Sequence, residues 1–428
     1  MTLKIAILGA GPVGLTLAAI LHHRGLAFDI FDRDDPDSAR SQGGTLDLHP
    51  DGGQKALRAA GLLGVFLKVA RRDGEAIRLL NGGGEVIFEG DGLPGPGEVL
   101  EDKIESGDDD EQQEAEEAHG RPEIDRAALK QLLLDALPQG TVRWNWHVDS
   151  ITPSASGPGT WTVGFDTQPS SPAAARQDYD LVVGTDGAWS KVRSSCLSSA
   201  EPHFSGITAL DVWISDLDRD PDTAAVVGQG SCFAFDPDRA LLFQRHGDGS
   251  ARCYACVRTG EVGSAPLDPG QALGRGSETQ GEVDWLVPAN REAFLRKWFR
   301  GFAPELTRAV LSMRDRALLR HLYMLPVGFR WESRPGVTLV GDAAHLMTPF
   351  AGRGVNVGMV DAVELAEGIV GFVRGNGRTL DDVVREYENR MFERSVVDAR
   401  LTERCMLASF GEDGARAVGE IMSQFWYF

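Results

Sequence analysis

Three glycines spaced Gly9-x-Gly11-x-x-Gly14 stand directly after the apolar run Lys4 to Leu8, and apolar residues at helical spacing follow from Leu15 to His23. Strand, glycine turn and helix in that order open a parallel βαβ unit whose turn lets a pyrophosphate approach the backbone at the helix N-terminus. Gly25 marks the helix stop, a second strand is predicted over Ala27 to Phe31, and Asp32 ends it 18 positions after Gly14. That offset is close to the roughly 20 residues expected of a carboxylate that hydrogen-bonds an adenosine ribose. Gly9, Gly11, Gly14 and Asp32 are therefore candidate dinucleotide-binding residues, with Arg33 beside the adenine.

Charge removes other classes. The chain has 428 residues with 43 Lys and Arg against 63 Asp and Glu, a formal net charge of −20, so a basic nucleic-acid binder is excluded as the starting expectation. Half of that excess lies between Glu98 and Glu117, where 11 acidic residues accompany one Lys. The stretch 91–120 is poor in apolar residues and reads as an acidic disordered insertion. The five cysteines, Cys196, Cys232, Cys253, Cys256 and Cys405, show no zinc-ligand spacing and are expected to be reduced, buried thiols of a cytoplasmic protein. No apolar run reaches the ~18 residues of a membrane span, and the aromatic C-terminus is expected in a docked helix rather than stably inserted in a membrane.

Patterning along the chain predicts an α/β protein: a Rossmann-type domain interleaved with a mostly antiparallel β-sheet domain, and a C-terminal helix. The helical spacing at Asp125 to Leu137 and the strand Leu181 to Val183 belong to the first domain. Short alternating runs from Phe204 to Thr259 form a separate β layer; Arg291 to Met313, Asn356 to Val373 and Leu380 to Ser409 read as helical. The expected division is 1–90, 121–203 and 331–378 for the dinucleotide domain, 204–330 for the sheet domain and 379–428 for the C-terminal helical segment.

Two later motifs decide which dinucleotide. Gly184-Thr-Asp186-Gly187 ends one strand, and Gly341-Asp342-Ala-Ala-His345 ends another before Pro349-Phe-Ala-Gly352-Arg353-Gly354-Val-Asn356 opens a long helix. A small nicotinamide cofactor does not need three well-separated contacts, whereas an extended FAD does. With these motifs in this order the chain resembles the class A flavoprotein monooxygenases of the p-hydroxybenzoate hydroxylase type. Gly43-Gly-Thr-Leu-Asp47-Leu-His49, Pro122-Glu-Ile-Asp-Arg126 and Gly341 to Met347 look like the tetracycline-inactivating members.

The resemblance implies an FAD-dependent enzyme using NADPH or NADH and molecular oxygen to hydroxylate an aromatic, phenolic or polyketide-like molecule through a flavin C4a-hydroperoxide. It places Gly9, Gly11, Gly14, Asp32 and Arg33 at the ADP end, Asp47 and Arg126 beside the flavin and ribityl chain, and Arg40 against the nicotinamide cofactor. Asp186, Gly341 and Asp342 fall in the second and third motifs, with Asp342 accepting from ribityl hydroxyls. Pro349, Gly352 and Gly354 would face the flavin pyrimidine edge, whose reduced anion a helix N-terminus favours. His345 reads as a packed, hydrogen-bonded histidine. Arg353 departs from the family, which usually has Gln there; its charge either stabilises reduced flavin or points to solvent.

No protein nucleophile, metal ligand set or catalytic residue is assigned, because a bound flavin carries this chemistry itself. Trp213, Phe233, Phe235 and Phe243 are candidates for the ceiling over a substrate. The competing readings are a flavin reductase or dehydrogenase without oxygen insertion, and a flavoprotein that sequesters a ligand without turnover. A halogenase is disfavoured, since the only Trp-x-Trp is Trp144-Asn-Trp146, without the flanking residues such enzymes carry.

Overall fold

The computed structural model describes residues 3–35, 43–90, 120–166, 176–274 and 283–425. Arg40 and nearly all of the acidic stretch 91–120 lie outside them. Ile5–Leu8, buried at all four positions, is the middle of a five-stranded parallel sheet in the order 337–339, 181–184, 5–8, 29–31, 142–143. Strands covered on both faces read as continuous apolar runs, which is why this layer was visible in the sequence. Pro12–His23 packs between that sheet and the 20-residue helix Gly354–Val373, and the two helices approach closely where Gly358 meets the Val13 side chain.

A second sheet has seven strands in the order 316–324, 203–214, 251–258, 239–245, 231–236, 77–81, 86–90. Every pairing in it is antiparallel except that of 231–236 with 77–81. The strands Ile77–Asn81 and Val86–Gly90 therefore belong to this sheet, not to the dinucleotide layer in which the division at residue 90 puts them. A parallel pairing between segments 154 residues apart leaves no local signal. One face of the sheet is closed by the helices Pro288–Trp298 and Pro304–Ser312, between which Phe299 and Phe302 turn the chain and end the single helix expected from 291 to 313.

The other face looks toward the dinucleotide layer. The 30-residue helix Leu380–Ser409, opened by a Thr379/Asp382 capping box, runs from one layer to the other, and Gly414–Phe425 docks under the sheet. All five cysteines are buried and unbridged, and burial raises the Cys232 and Cys405 thiols to about 11, which keeps them unreactive at neutral pH. No helix among the described residues is long and apolar enough to cross a membrane.

Candidate active site

The first and second motifs, distant in sequence, are laid against each other. Gly9 has φ +117°, and a Cβ there would lie 2.3 Å from the Thr185 carbonyl oxygen, so only glycine fits the crossing. Thr185 Oγ1 in turn donates to the Gly9 carbonyl oxygen at 2.7 Å. Asp32 sits at the edge of the same turn, its carboxylate accepting from the Ala10 N–H at 2.6 Å and the Asp34 N–H at 2.8 Å. Each oxygen keeps a second lone pair for a hydroxyl. Arg33 is exposed beside Asp34.

Gly11 caps the helix Pro12–His23 without a side-chain bond, and a Cβ on it would meet nothing within 4 Å. The open cradle at a helix N-terminus suits a pyrophosphate. Asp186 accepts from the N–H groups of Lys191 at 2.7 Å and Val192 at 3.2 Å, while its Oδ1 is buried without a partner and burial raises its pKa. Asp186 thus holds the turn that follows its strand.

The third motif meets the segment 43–53. Gly341 donates its N–H to the buried Asp361 at 3.0 Å, and Asp342 is exposed at the next position. Pro349 starts a short turn that ends at Gly352 in the left-handed region, φ +65°, where a Cβ would lie 3.2 Å from Asp47 Oδ1. Gly354 begins the long helix, and Asn356 in its first turn binds the Asp47 carbonyl, the His49 N–H and the Gly53 N–H at 2.8–2.9 Å. Arg126 begins the helix Arg126–Asp135, packs on Gly43, and leaves Nε buried without a partner. Buried polar atoms without partners at Arg126 and Asp186, together with the Gly11 cradle, are what a polar, phosphate-bearing cofactor would satisfy.

Between the layers lies a cavity of about 150 Å³ whose base is Asp47 with Pro349 to Gly352. Phe233, Phe235, Leu242, Phe350 and Met422 make its apolar walls, and Glu75, Arg121, Glu123 and Gln244 its polar side. Of the four ceiling candidates, Phe233 and Phe235 line it. Phe243 points to the opposite face of the sheet because side chains alternate along a strand, and Trp213 stands by His246 instead.

Glu75, Arg121, Glu123, His49 and Asn356 were not singled out from the sequence. Glu123, His49 and Asn356 were legible only as parts of the Pro122 to Arg126, Gly43 to His49 and Pro349 to Asn356 motifs, and Glu75 and Arg121 carry no pattern; they meet through the pairing of Thr45–Asp47 with Glu123–Asp125 and the docking of a distant helix. Glu75, Arg121 and Glu123 each feel the charge of Asp47. Burial raises the Glu123 carboxyl from 4.5 to about 8, aided by Asp47 and opposed by Arg71, which lies 3.2 Å away. Glu75 is also raised by burial and Arg121 lowered by it.

The Glu123 shift has a measurable sign. Between pH 4.5 and about 8 the folded protein holds a proton that the unfolded chain has released, so this contribution is full at low pH and is lost as pH rises through about 8. Glu123→Gln is expected to remove up to about 5 kcal/mol of pH dependence over that range. Urea midpoints at several pH values check it, and an unchanged slope in the variant refutes it.

Comparison with known proteins decides the family. The model of the FAD binding domain family matches residues 2–234 and 329–399, more than half of the chain. The chain belongs to this family. It is an FAD-dependent monooxygenase of the class A type. The monooxygenase asqM of Emericella nidulans is 31% identical over 98% of both chains, and the monooxygenase penA of Penicillium thymicola is 29% identical over the same shares. Among solved structures, a salicylate hydroxylase substrate complex superposes with TM-score 0.69 at 18% identity, covering 100% of this chain and 95% of that one. The tetracycline destructase Tet(51) gives TM-score 0.64 at 18% identity, covering 99% and 96%. In this monooxygenase the family match spans the whole parallel layer and skips 235–328, which holds three of the seven strands of the second sheet.

Proposed function

We propose that this monooxygenase uses NADPH or NADH and molecular oxygen to hydroxylate an aromatic, phenolic or polyketide-like molecule, tetracycline-like ones included, held in the cavity between the two layers. The observation that carries the reading is that cavity itself: aromatic walls from the second sheet close over the Pro349 to Gly352 turn, where the resemblance puts the flavin. A flat apolar molecule fits such walls, with the polar side of the cavity left to orient it. The relatives named above include a salicylate hydroxylase and a tetracycline destructase, which supports a ring-bearing substrate.

FAD held by the site residues would supply the activation of oxygen with two electrons from the nicotinamide cofactor, one oxygen atom going to the product and the other to water. In this reading Gly9, Gly11, Gly14, Asp32 and Arg33 bind the ADP half, and Asp186, Gly341 and Asp342 the pyrophosphate and ribityl chain. Asp47, Arg126, Pro349, Gly352 and Gly354 surround the ring, and Arg40 meets the nicotinamide cofactor. Five buried thiols suit a cytoplasmic location.

The purified protein is expected to be yellow and to release FAD rather than FMN, because the glycine turn and Asp32 address the ADP half that FMN lacks. A panel of phenolic and polyketide-like compounds is expected to contain members that stimulate NADPH oxidation and gain one labelled atom from ¹⁸O₂. Stimulated oxidation without label in any product establishes the reductase reading; binding without oxidation establishes sequestration.

A further inference from the structure

Arg353, the residue that the resemblance marks as a departure from the usual family pattern, is directed neither to solvent nor into the cavity. Its Nε donates to Asp398 Oδ1 at 2.6 Å, on the helix Leu380–Ser409, and its Nη1 lies 2.6 Å from His49 Nδ1. A guanidinium has donors only, so Nδ1 must be the acceptor. The ring proton then resides on Nε2, which stands 2.9 Å from Asp47 Oδ2. The His49 ring is 2% exposed, so the alternative tautomer would have to face Arg353 with a second proton and no water to separate them.

Asp47 is held at both ends. Its carbonyl accepts from Asn356, Oδ2 accepts from His49, and Oδ1 is left on the side of Gly352 and the cavity. Two consequences follow. The cation of Arg353 is balanced by Asp398, so it is not offered to a reduced cofactor. The chain is also no proton wire, because Arg353 cannot take a proton from Nδ1.

We propose that Arg353 and His49 are positioning residues that act only through Asp47, holding its carboxylate as an oriented hydrogen-bond acceptor on the wall where cofactor and substrate meet. The proposal rests on the FAD reading for its functional consequence but not for its geometry.

A double-mutant cycle separates action through His49 from direct action on the cofactor. Apoprotein is titrated with FAD for Arg353→Met, His49→Phe and the pair, with flavin fluorescence quenching as the readout. Each single change is expected to raise the FAD Kd about tenfold, and the pair to raise it no further than either alone. A roughly hundredfold rise in the pair means independent effects and overturns the proposal. The tautomer is read separately, from ¹H–¹⁵N correlations of apoprotein carrying ¹⁵N-labelled histidine, with the His49 signals assigned by their loss in His49→Phe. The neutral Nε2–H pattern is expected; an Nδ1–H or doubly protonated ring overturns the proposal even where Arg353→Met or the pair fails to fold, and His49→Gln supplies the assignment where His49→Phe does not fold. Absence of any saturable FAD binding in the unaltered protein would instead defeat the FAD reading, leaving the tautomer result to decide the hydrogen-bond chain.

Discussion

Replacing Asp361 by alanine is expected to lower stability by about 3–5 kcal/mol and to weaken FAD binding with it. Asp361 is fully buried and receives His345 Nε2 at 2.5 Å, the Arg394 guanidinium at 2.7 Å and the Gly341 N–H at 3.0 Å. Burial alone would raise its carboxyl, yet His345 and Arg394 hold it below the usual carboxylate range. Burial alone would lower His345, and Asp361 raises it instead. Removal of the shared anion takes away what keeps His345 protonated, and leaves the Arg394 cation in the interior with only Glu364 and the Gly341 N–H without its acceptor.

The pH window follows from these directions. The Asp361 contribution is present above its unfolded pKa, about 3.9, and is lost as pH falls through its lowered folded value. The His345 contribution is full below about 6.5 and is lost as pH rises through its raised folded value. The cluster is therefore most stabilising between about pH 4 and 6.5. The Gly341–Asp342 turn hangs on the same carboxylate, so its position and the ribityl contact assigned to Asp342 are expected to loosen together. Urea unfolding of apoprotein and FAD titration check both effects. A stability loss under about 1 kcal/mol would show that the cations find other partners.

The sequence revealed this region unevenly, for a physical reason. His345 was legible as a packed histidine because it follows a strand and a turn in one short motif. Its partner Asp361 and the Arg394 that shares that carboxylate lie on two helices, where a charged residue in an amphipathic pattern looks like a solvated face. The Gly9 to Gly14 turn and Asp32 were legible because backbone chemistry imposes both residue type and spacing. Arg353 was visible as a departure from the family pattern, but not its partners, since the side chain is engaged by His49 and Asp398, 304 and 45 residues away, rather than pointing to solvent. The cavity walls were half legible: alternation identifies strands, but not which face of Ser231–Asp236 or Arg239–Arg245 looks toward the cofactor layer.

Gly11 and Gly14 are expected to fail in different ways, which makes them a test of what the first turn is for. At Gly11 the backbone is extended, φ −71° and ψ 175°, and a Cβ would meet nothing within 4 Å. Gly11→Val should therefore change the stability of the apoprotein by no more than about 1 kcal/mol, the scale of a weakened helix cap. Its side chain would project into the cradle at the helix N-terminus, where the pyrophosphate must come close to the backbone, so FAD affinity should fall at least a hundredfold, about 2.7 kcal/mol. At Gly14 a Cβ would stand 2.0 Å from the Gly9 carbonyl oxygen and 2.6 Å from Thr185 Oγ1. Neither can yield, because that carbonyl accepts from Thr185 and the Gly9 N–H is tied to Phe31 at 2.8 Å. Gly14→Val must push the helix Pro12–His23 off the parallel sheet, so it should lose stability by about 3 kcal/mol or more and lose FAD as a consequence. Apoprotein urea midpoints and FAD titrations on both variants separate the cases. Normal FAD affinity in Gly11→Val would remove the pyrophosphate from this turn, and normal stability in Gly14→Val would mean that the helix does not depend on this close approach.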